Sequence, residues 1–248
     1  DSDDYIVPTM FEDLLMAALS KDADVAICDF KIYYEQEEKE AVCNDSKAWQ
    51  KVVSSYVAKK DLRTIKSQLL SLSPVPWRKI YNKEFLDRNQ IRYPEVDFFF
   101  EDNPLHWFVC TQLESVVFVN KPLITHRIGR VGQTMEGKPE KLIGFETHAK
   151  LIKEFLDKNK IFENYKLDFL QWYLSQTSWV LPKLNGLSSQ YLETMKSLCK
   201  DYTFDDIKAA RKIKIYKYAR MFYNYGLIKG MPRLGKFAMD IVTPFVNL

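Results

Sequence analysis

The chain opens on Asp1-Ser2-Asp3-Asp4, followed by Tyr5-Ile6-Val7-Pro8. Two aspartates one residue apart on an extended segment point the same way, so both can address one ion. Mg²⁺ and Mn²⁺ are hard cations that prefer carboxylate oxygens and substrate phosphates. A cation held this way acts as Lewis acid and template for a leaving diphosphate. Alone, the triplet is short and common, and it also fits a solvated acidic chain end or a turn ahead of the next helix. A second acidic pair, Glu101-Asp102, follows Phe98-Phe99-Phe100 and precedes Asn103-Pro104. At a helix N-terminus the dipole favours the ionised carboxylate, the form a general base needs to take a proton from an attacking hydroxyl. Simple N-capping by Asp102 or Asn103, with Glu101 on the surface, is the other reading of these residues. Together the two pairs suggest a metal-dependent transferase with a separate carboxylate base.

The elements that must position these groups alternate in type. Thr9-Met10-Phe11-Glu12 reads as a capping box, opening a helix that runs to Ser20 with Leu14, Leu15, Ala18 and Leu19 inward. Val25 to Tyr34 is β-rich and predicts a strand, and Glu35 to Lys39 a charged turn. Helices are expected over Ala48–Ala58, Leu62–Leu72 and Lys83–Arg88, with Pro74 and Pro76 breaking the pattern between them. Asn103-Pro104 looks like a helix start, with that helix reaching Glu114. Ser115–Val119 and Pro122–Ile128 predict two further strands. From Lys138 the character is purely helical, with Leu167, Leu170 and Leu174 keeping one face apolar. The boundary falls near Gly137, giving residues 1–136 as mixed α/β and 137–248 as all-α.

With 248 residues, 46% of them apolar, the chain is long enough for a full core and a second domain. Aromatic content of 14% excludes a disordered class. The 8 glycines form no G-x-G-x-x-G or Walker pattern, so no Gly-rich phosphate loop is expected. A net charge of +3 is too small to imply nucleic acid. Cys28, Cys43, Cys110 and Cys199 lie far apart, without zinc spacing, and read as reduced thiols of a cytosolic protein. No signal peptide and no apolar run of about 18 residues is seen. The absence of an initiator Met makes the N-terminus look like a cut.

Five segments in order carry a resemblance: Asp1-Ser2-Asp3-Asp4-Tyr5-Ile6-x-Pro8; Asp24-Val25 with Cys28-Asp29-Phe30; Trp77-x-Lys79-Ile80-Tyr81; Phe100-Glu101-Asp102; and Ile128-Gly129-Arg130-Val131-Gly132-Gln133. Over residues 1–135 the chain resembles the family 2 glycosyltransferases of bacterial surface-polysaccharide synthesis. The resemblance implies a GT-A fold and inverting transfer of a sugar, a UDP-sugar first among donors, to a saccharide or lipid-linked acceptor. It carries donor and metal contact over to Asp1 and Asp3, with Asp4 beside them, and the base to Asp102 with Glu101 alongside. His126 is a candidate third metal ligand, and Arg127, Arg130 and Gln133 are candidates for the diphosphate, where an Arg fork suits phosphate oxygens. An ordinary packed or surface His, and a surface turn, are the alternatives for this segment. Trp77 offers a flat face to an acceptor ring and Lys79 a charge nearby; core packing is the alternative for Trp77. His106 and His148 sit inside predicted helices and read as structural.

The family's two opening β-α-β-sized units have no counterpart here, so residues 1–136 read as the C-terminal portion of a GT-A catalytic domain that should need a partner, a swapped segment or a rearranged packing, with no activity expected of it unaided. Residues 208–236 carry Lys208, Arg211, Lys212, Lys214, Lys217, Arg220, Lys229, Arg233 and Lys236 and no acid, interleaved with aromatics. Each such base adds about 1 kcal/mol of attraction to an anionic leaflet. Peripheral contact with the inner face of the cytoplasmic membrane follows as an expectation, beside a solvated helix face. A non-catalytic helical module that binds membrane or partner is the competing function.

Overall fold

The computed structural model describes residues 3–95, 100–130, 144–180, 189–200, 202–210 and 226. The chain divides into two compact units, Asp1–Gly137 and Lys138–Leu248.

The first unit is built on strand β2 (Val25–Tyr34). Val25, Ala26, Ile27 and Cys28 are all buried, and then only Phe30 and Ile32 are. The first half is therefore covered on both faces, whereas the second half alternates as a one-sided strand does. Along one side of β2 runs β5 (Val116–Ile128), parallel, from Val25↔Val116 to Tyr34↔Ile128. The other side pairs antiparallel with β4 (Lys79–Tyr81) at its start and β3 (Lys39–Val42) at its end. The short β1 (Tyr5–Ile6) adds antiparallel to β5, giving the order β1-β5-β2-β3.

β5 corrects the expectation of two strands. It is one strand whose register skips from Cys28↔Val119 to Asp29↔Pro122. Pro122 has no N–H to give the ladder, and an irregularity is where a sheet tolerates it. The skipped Asn120 accepts a 2.9 Å bond from Trp49 Nε1. Asp24 ties the strand starts together: its Oδ2 accepts from the amides of Glu114 (2.7 Å) and Ser115 (3.0 Å).

Helix α1 (Met10–Lys21) differs in its cap and its inward face. Thr9 makes no side-chain cap bond; its hydroxyl donates to Asp13 instead. Met10 and Leu14 are buried with Ala17 and Ala18 against them, whereas Leu15 and Leu19 are 51% and 69% exposed. Helices α2 (Ser46–Val57), α3 (Leu62–Leu69), α4 (Lys83–Arg88) and α5 (Asp102–Gln112) complete the unit. α5 is buried from Asn103 through Thr111, on every side.

Between α3 and β4 the chain makes a single 3₁₀ turn, Pro76–Arg78. Arg78 is fully buried and grips Asp45 with both terminal nitrogens, at 3.3 and 3.1 Å. Its guanidinium lies 5.1 Å from the Phe30 ring and 5.4 Å from that of Trp49. The ion pair and the rings fix this turn on the sheet.

The second unit contains α6 (Gly144–Lys158), α7 (Phe162–Val180), α8 (Ser189–Cys199) and α9 (Phe204–Ala210). Ala149, Ile152 and Leu156 of α6 are buried, as are Phe169, Leu170, Tyr173 and Leu174 of α7. Leu167, expected on that apolar face, is 43% exposed. Tyr173 donates to buried Glu146 at 2.8 Å. Beyond α9 the basic segment to residue 236 lies outside the described residues, apart from the helical Gly226. No described helix is long and apolar enough to cross a membrane.

Removing one partner of a buried ion pair strands the other. Asp45→Ala should therefore destabilise the first unit by about 3–5 kcal/mol. Lys31→Ala, breaking the exposed pair with Glu40, should cost less than about 1 kcal/mol. Urea unfolding followed by β2 amide exchange separates the two.

Candidate active site

The opening acidic segment is positioned by the β1–β5 ladder. Tyr5 pairs with Thr125, which sets Asp4 against His126 and Arg127. The Asp4 side chain is 1% exposed. Its Oδ1 accepts from the Arg127 amide at 2.9 Å and lies 3.1 Å from His126 Nδ1. Asp4 is thus committed to β5, and Nδ1–H donation to it leaves Nε2 directed away from Asp4. That ring stacks on Trp77, with centroids 5.4 Å apart at 23°. Trp77 is in turn held edge-on by Phe30 at 4.9 Å.

Asp3 keeps 23% of its side chain exposed, and its Oδ2 accepts from Arg130 at 2.8 Å. Gly129, at φ +87°, supplies the left-handed residue that turns Arg130 back towards Asp3. The Asp3 carbonyl accepts from Arg127 at 3.2 Å. Arg127 also grips Glu35, and its guanidinium lies 4.8 Å from the Tyr5 ring. The bond from Arg127 holds the Glu35 carboxyl below its usual range. Glu35 was read from sequence only as part of a charged turn. Its place beside Arg127 follows from the Tyr34↔Ile128 pairing, which no local pattern announces.

The second acidic pair is different in kind. Glu101 is exposed at the N-cap position and makes no side-chain cap bond. Asp102 is the first residue of α5, and its Oδ1 is enclosed without a hydrogen-bond partner among the described residues. Burial pushes its carboxyl up to about 6; the Lys79 ammonium opposes this and Glu101 adds to it. The helix dipole was expected to keep this group readily ionised, and desolvation outweighs it.

Lys79 departs from its expected place at an acceptor surface. It is 8% exposed, and its ammonium donates to Pro74 O at 2.8 Å and faces His106 Nδ1 at 3.1 Å. Burial lowers it to about 7. Its short strand pairs with β2 alone, and the side chain turns to His106 of α5 rather than to solvent. His106 is held by Leu69 O at 2.9 Å, and burial keeps it well below the usual histidine range.

Trp77 and Lys79 flank Arg78 on one turn. Trp77 serves the Asp4–His126 group, and Lys79 lies within electrostatic reach of Asp102. One short stretch therefore joins the two acidic segments. Beside it lies a cavity of about 410 Å³, lined by Tyr81, Leu86, Ile91, Tyr93, Leu105 and Val109 among others. Leu105 and Val109 follow Asp102 at helical spacing on α5, and Asp102's charge is felt by both tyrosines. Among the described residues no three His, Cys, Asp or Glu side chains converge as a metal-ligand set. Asp1 and Gln133 lie outside the described residues.

The fold has known counterparts. The chain shares the fold of S. aureus TarS. Against TarS 1–349 in complex with UDP-GlcNAc the TM-score is 0.65 at 16% identity, covering 97% of this chain and 65% of that one. Against the UDP complex it is 0.60 at 15% identity, covering 97% and 64%. The chain therefore spans just under two thirds of the length of these structures. No protein-family model matches it, and no curated protein matches it by sequence. The fold is mixed α/β and matches that of TarS, with the helices α6 to α9 making up the second unit.

A buried carboxyl whose folded value lies above its unfolded one weakens the fold whenever it is ionised. That cost is full above about pH 6 and fades as pH falls towards the unfolded value near 4. Asp102→Asn should accordingly raise stability at pH 7–8 by roughly 1–3 kcal/mol, with the gain vanishing near pH 4. Thermal unfolding of both proteins across this range checks it.

Proposed function

We propose that the chain is the C-terminal portion of an inverting, family 2 glycosyltransferase. The donor is a nucleotide-diphosphate sugar, a UDP-sugar first, and the acceptor a saccharide or lipid-linked alcohol of bacterial surface-polysaccharide synthesis. Residues 1–136 belong to the catalytic domain and 137–248 to a helical C-terminal domain. The observation that carries the reading is Asp102 Oδ1, an enclosed carboxylate oxygen without a hydrogen-bond partner among the described residues, on the helix that Lys79 reaches from a turn whose other end braces His126. The TarS complexes with UDP-GlcNAc and UDP support a donor of that class.

In the reaction, the acceptor hydroxyl gives its proton to Asp102 as its oxygen forms the bond to the sugar's C1. The bond from C1 to the diphosphate oxygen breaks on the opposite face, and the nucleotide leaves with the electron pair. A base on one side and charge neutralisation on the other suffice, so no covalent nucleophile is needed. Arg130 and Arg127 provide forks for the diphosphate, with Arg130 exchanging Asp3 for phosphate oxygens and Gln133 following it. Trp77 offers its free face to the acceptor. Asp3 and His126, with Asp1 as the further carboxylate the sequence offers, would hold Mg²⁺ or Mn²⁺: the Nδ1–H bond to Asp4 orients Nε2 as metal-binding histidines are oriented. When bound, such a cation supplies Lewis-acid charge to the leaving diphosphate. Cytoplasmic location, with peripheral membrane contact through 208–236, completes the proposal.

A second reading, a non-catalytic partner-binding fragment, draws on Phe11, Leu15, Met16 and Leu19, which are 51–69% exposed on α1 beside β1.

Asp102→Asn in the full-length protein should lower kcat by about 10²–10⁴-fold while leaving donor affinity unchanged. Asp3→Ala should weaken donor binding instead. A transfer assay with calorimetric donor binding reads both; an active Asp102→Asn enzyme would remove the base assignment. Absence of transfer across a panel of nucleotide sugars would favour the partner-binding reading.

A further inference from the structure

Lys79 is a buried amine with an organised seat, charged below about pH 7. Its ammonium donates to Pro74 O at 2.8 Å and to His106 Nδ1 at 3.1 Å. The second bond is defined by the first one His106 makes. Nε2–H donates to Leu69 O at 2.9 Å, so Nδ1 carries the lone pair. Asp102, His106 and Cys110 follow one another at four-residue spacing and form one stripe of α5. Cys110 Sγ is 3.5 Å from His106 Nδ1. The ammonium therefore abuts the same stripe that Asp102 heads. The nearby Asp45 has both oxygens on Arg78, and its pull on Lys79 is weaker than that of Asp102. A buried ammonium and a buried carboxylate without a hydrogen-bonded partner on Oδ1 are left facing each other's field.

Resting on the reading of Asp102 as base, we propose that Lys79 is a positioning residue that supplies the counter-charge keeping Asp102 ready to accept a proton, and that His106 is the uncharged bracket holding Lys79 in place. The other groups facing this pair are accounted for. Arg78 opposes Lys79 but is matched by Asp45, and Cys110 is held as the neutral thiol by burial. Lys66 of α3 acts on Cys110. Glu101 pushes against ionisation of Asp102, and the hydroxyls of Tyr81 and Tyr93 stay protonated beside it. Lys79 is the cation acting most strongly on Asp102. Protonating Asp102 leaves the ammonium uncompensated, which favours release of the proton after each transfer.

The test is an NMR titration of the full chain with side-chain-labelled Asp and Lys, run beside the pH profile of kcat/KM. In Lys79→Met the Asp102 midpoint and the acid limb should rise together by about one unit or more, with the donor KM unmoved. His106→Gln retains an N–H for Leu69 and a carbonyl for Lys79 and should keep the wild-type midpoint. His106→Leu should shift it as Lys79→Met does. In the unsubstituted protein the Lys79 signal should show an inflection at the Asp102 midpoint, as coupled sites do, so the proposal is tested even where a variant does not fold. An unmoved Asp102 midpoint in Lys79→Met, or a Lys79 curve blind to Asp102, overturns it. A shifted midpoint in a protein that transfers no sugar would instead overturn the glycosyltransferase reading and leave the pair standing.

Discussion

The Arg78–Asp45 ion pair is the constraint on which the site depends. Both groups are out of water, and such pairs gain little net stability over an apolar substitute. What they fix is position. With Arg78 pinned between Asp45, Phe30 and Trp49, its neighbours on either side are committed to opposite tasks. Trp77 lies against His126, and Lys79 runs under α5. A looser turn would still let the sheet form, since β4 contributes only three residues to it. It would not hold Trp77 against His126 and Lys79 against His106 at the same time.

The two ends of that turn differ in electrostatic character. At the first, charges are shared: Asp4 with His126 and the Arg127 amide, Asp3 with Arg130, and Glu35 with Arg127. Arg130, the most exposed of these at 39%, can exchange Asp3 for another anion at small cost, because water screens the intermediate. At the second end, Asp102 and Lys79 are enclosed, and their ionisation is pulled towards neutrality from both sides. Titratable groups pushed in this way mark functional sites. One end is suited to holding a charged ligand and the other to moving a proton.

Much of the first unit was legible locally. β2 coincides with its predicted range because an apolar run followed by alternation has no helical counterpart. α4 coincides too, where Asn82 caps it through its 2.8 Å bond from Glu84 N. The failures were non-local. Pro122 looked like a break because the skip that accommodates it needs β2 as a partner. Leu15 and Leu19 were placed inward because an apolar stripe on α1 is wider than the face the sheet covers. Among site residues, Asp102 was visible as a type, but its ionisation was misjudged, since burial by distant elements outweighs a dipole at its own helix end. Lys79 pointed the wrong way in sequence reasoning for the same reason. Glu35, Asp45 and the role of His106 emerge only from contacts between segments far apart in sequence.

That one site joins the two acidic segments can be measured directly through Mn²⁺ titrated with UDP into the full-length protein, observed by paramagnetic broadening of labelled side chains. The account predicts that the Trp77 indole and the Asp102 carboxyl broaden together, saturably, and that Asp3→Ala abolishes both effects. Broadening near Trp77 with Asp102 untouched, or at neither, would contradict it.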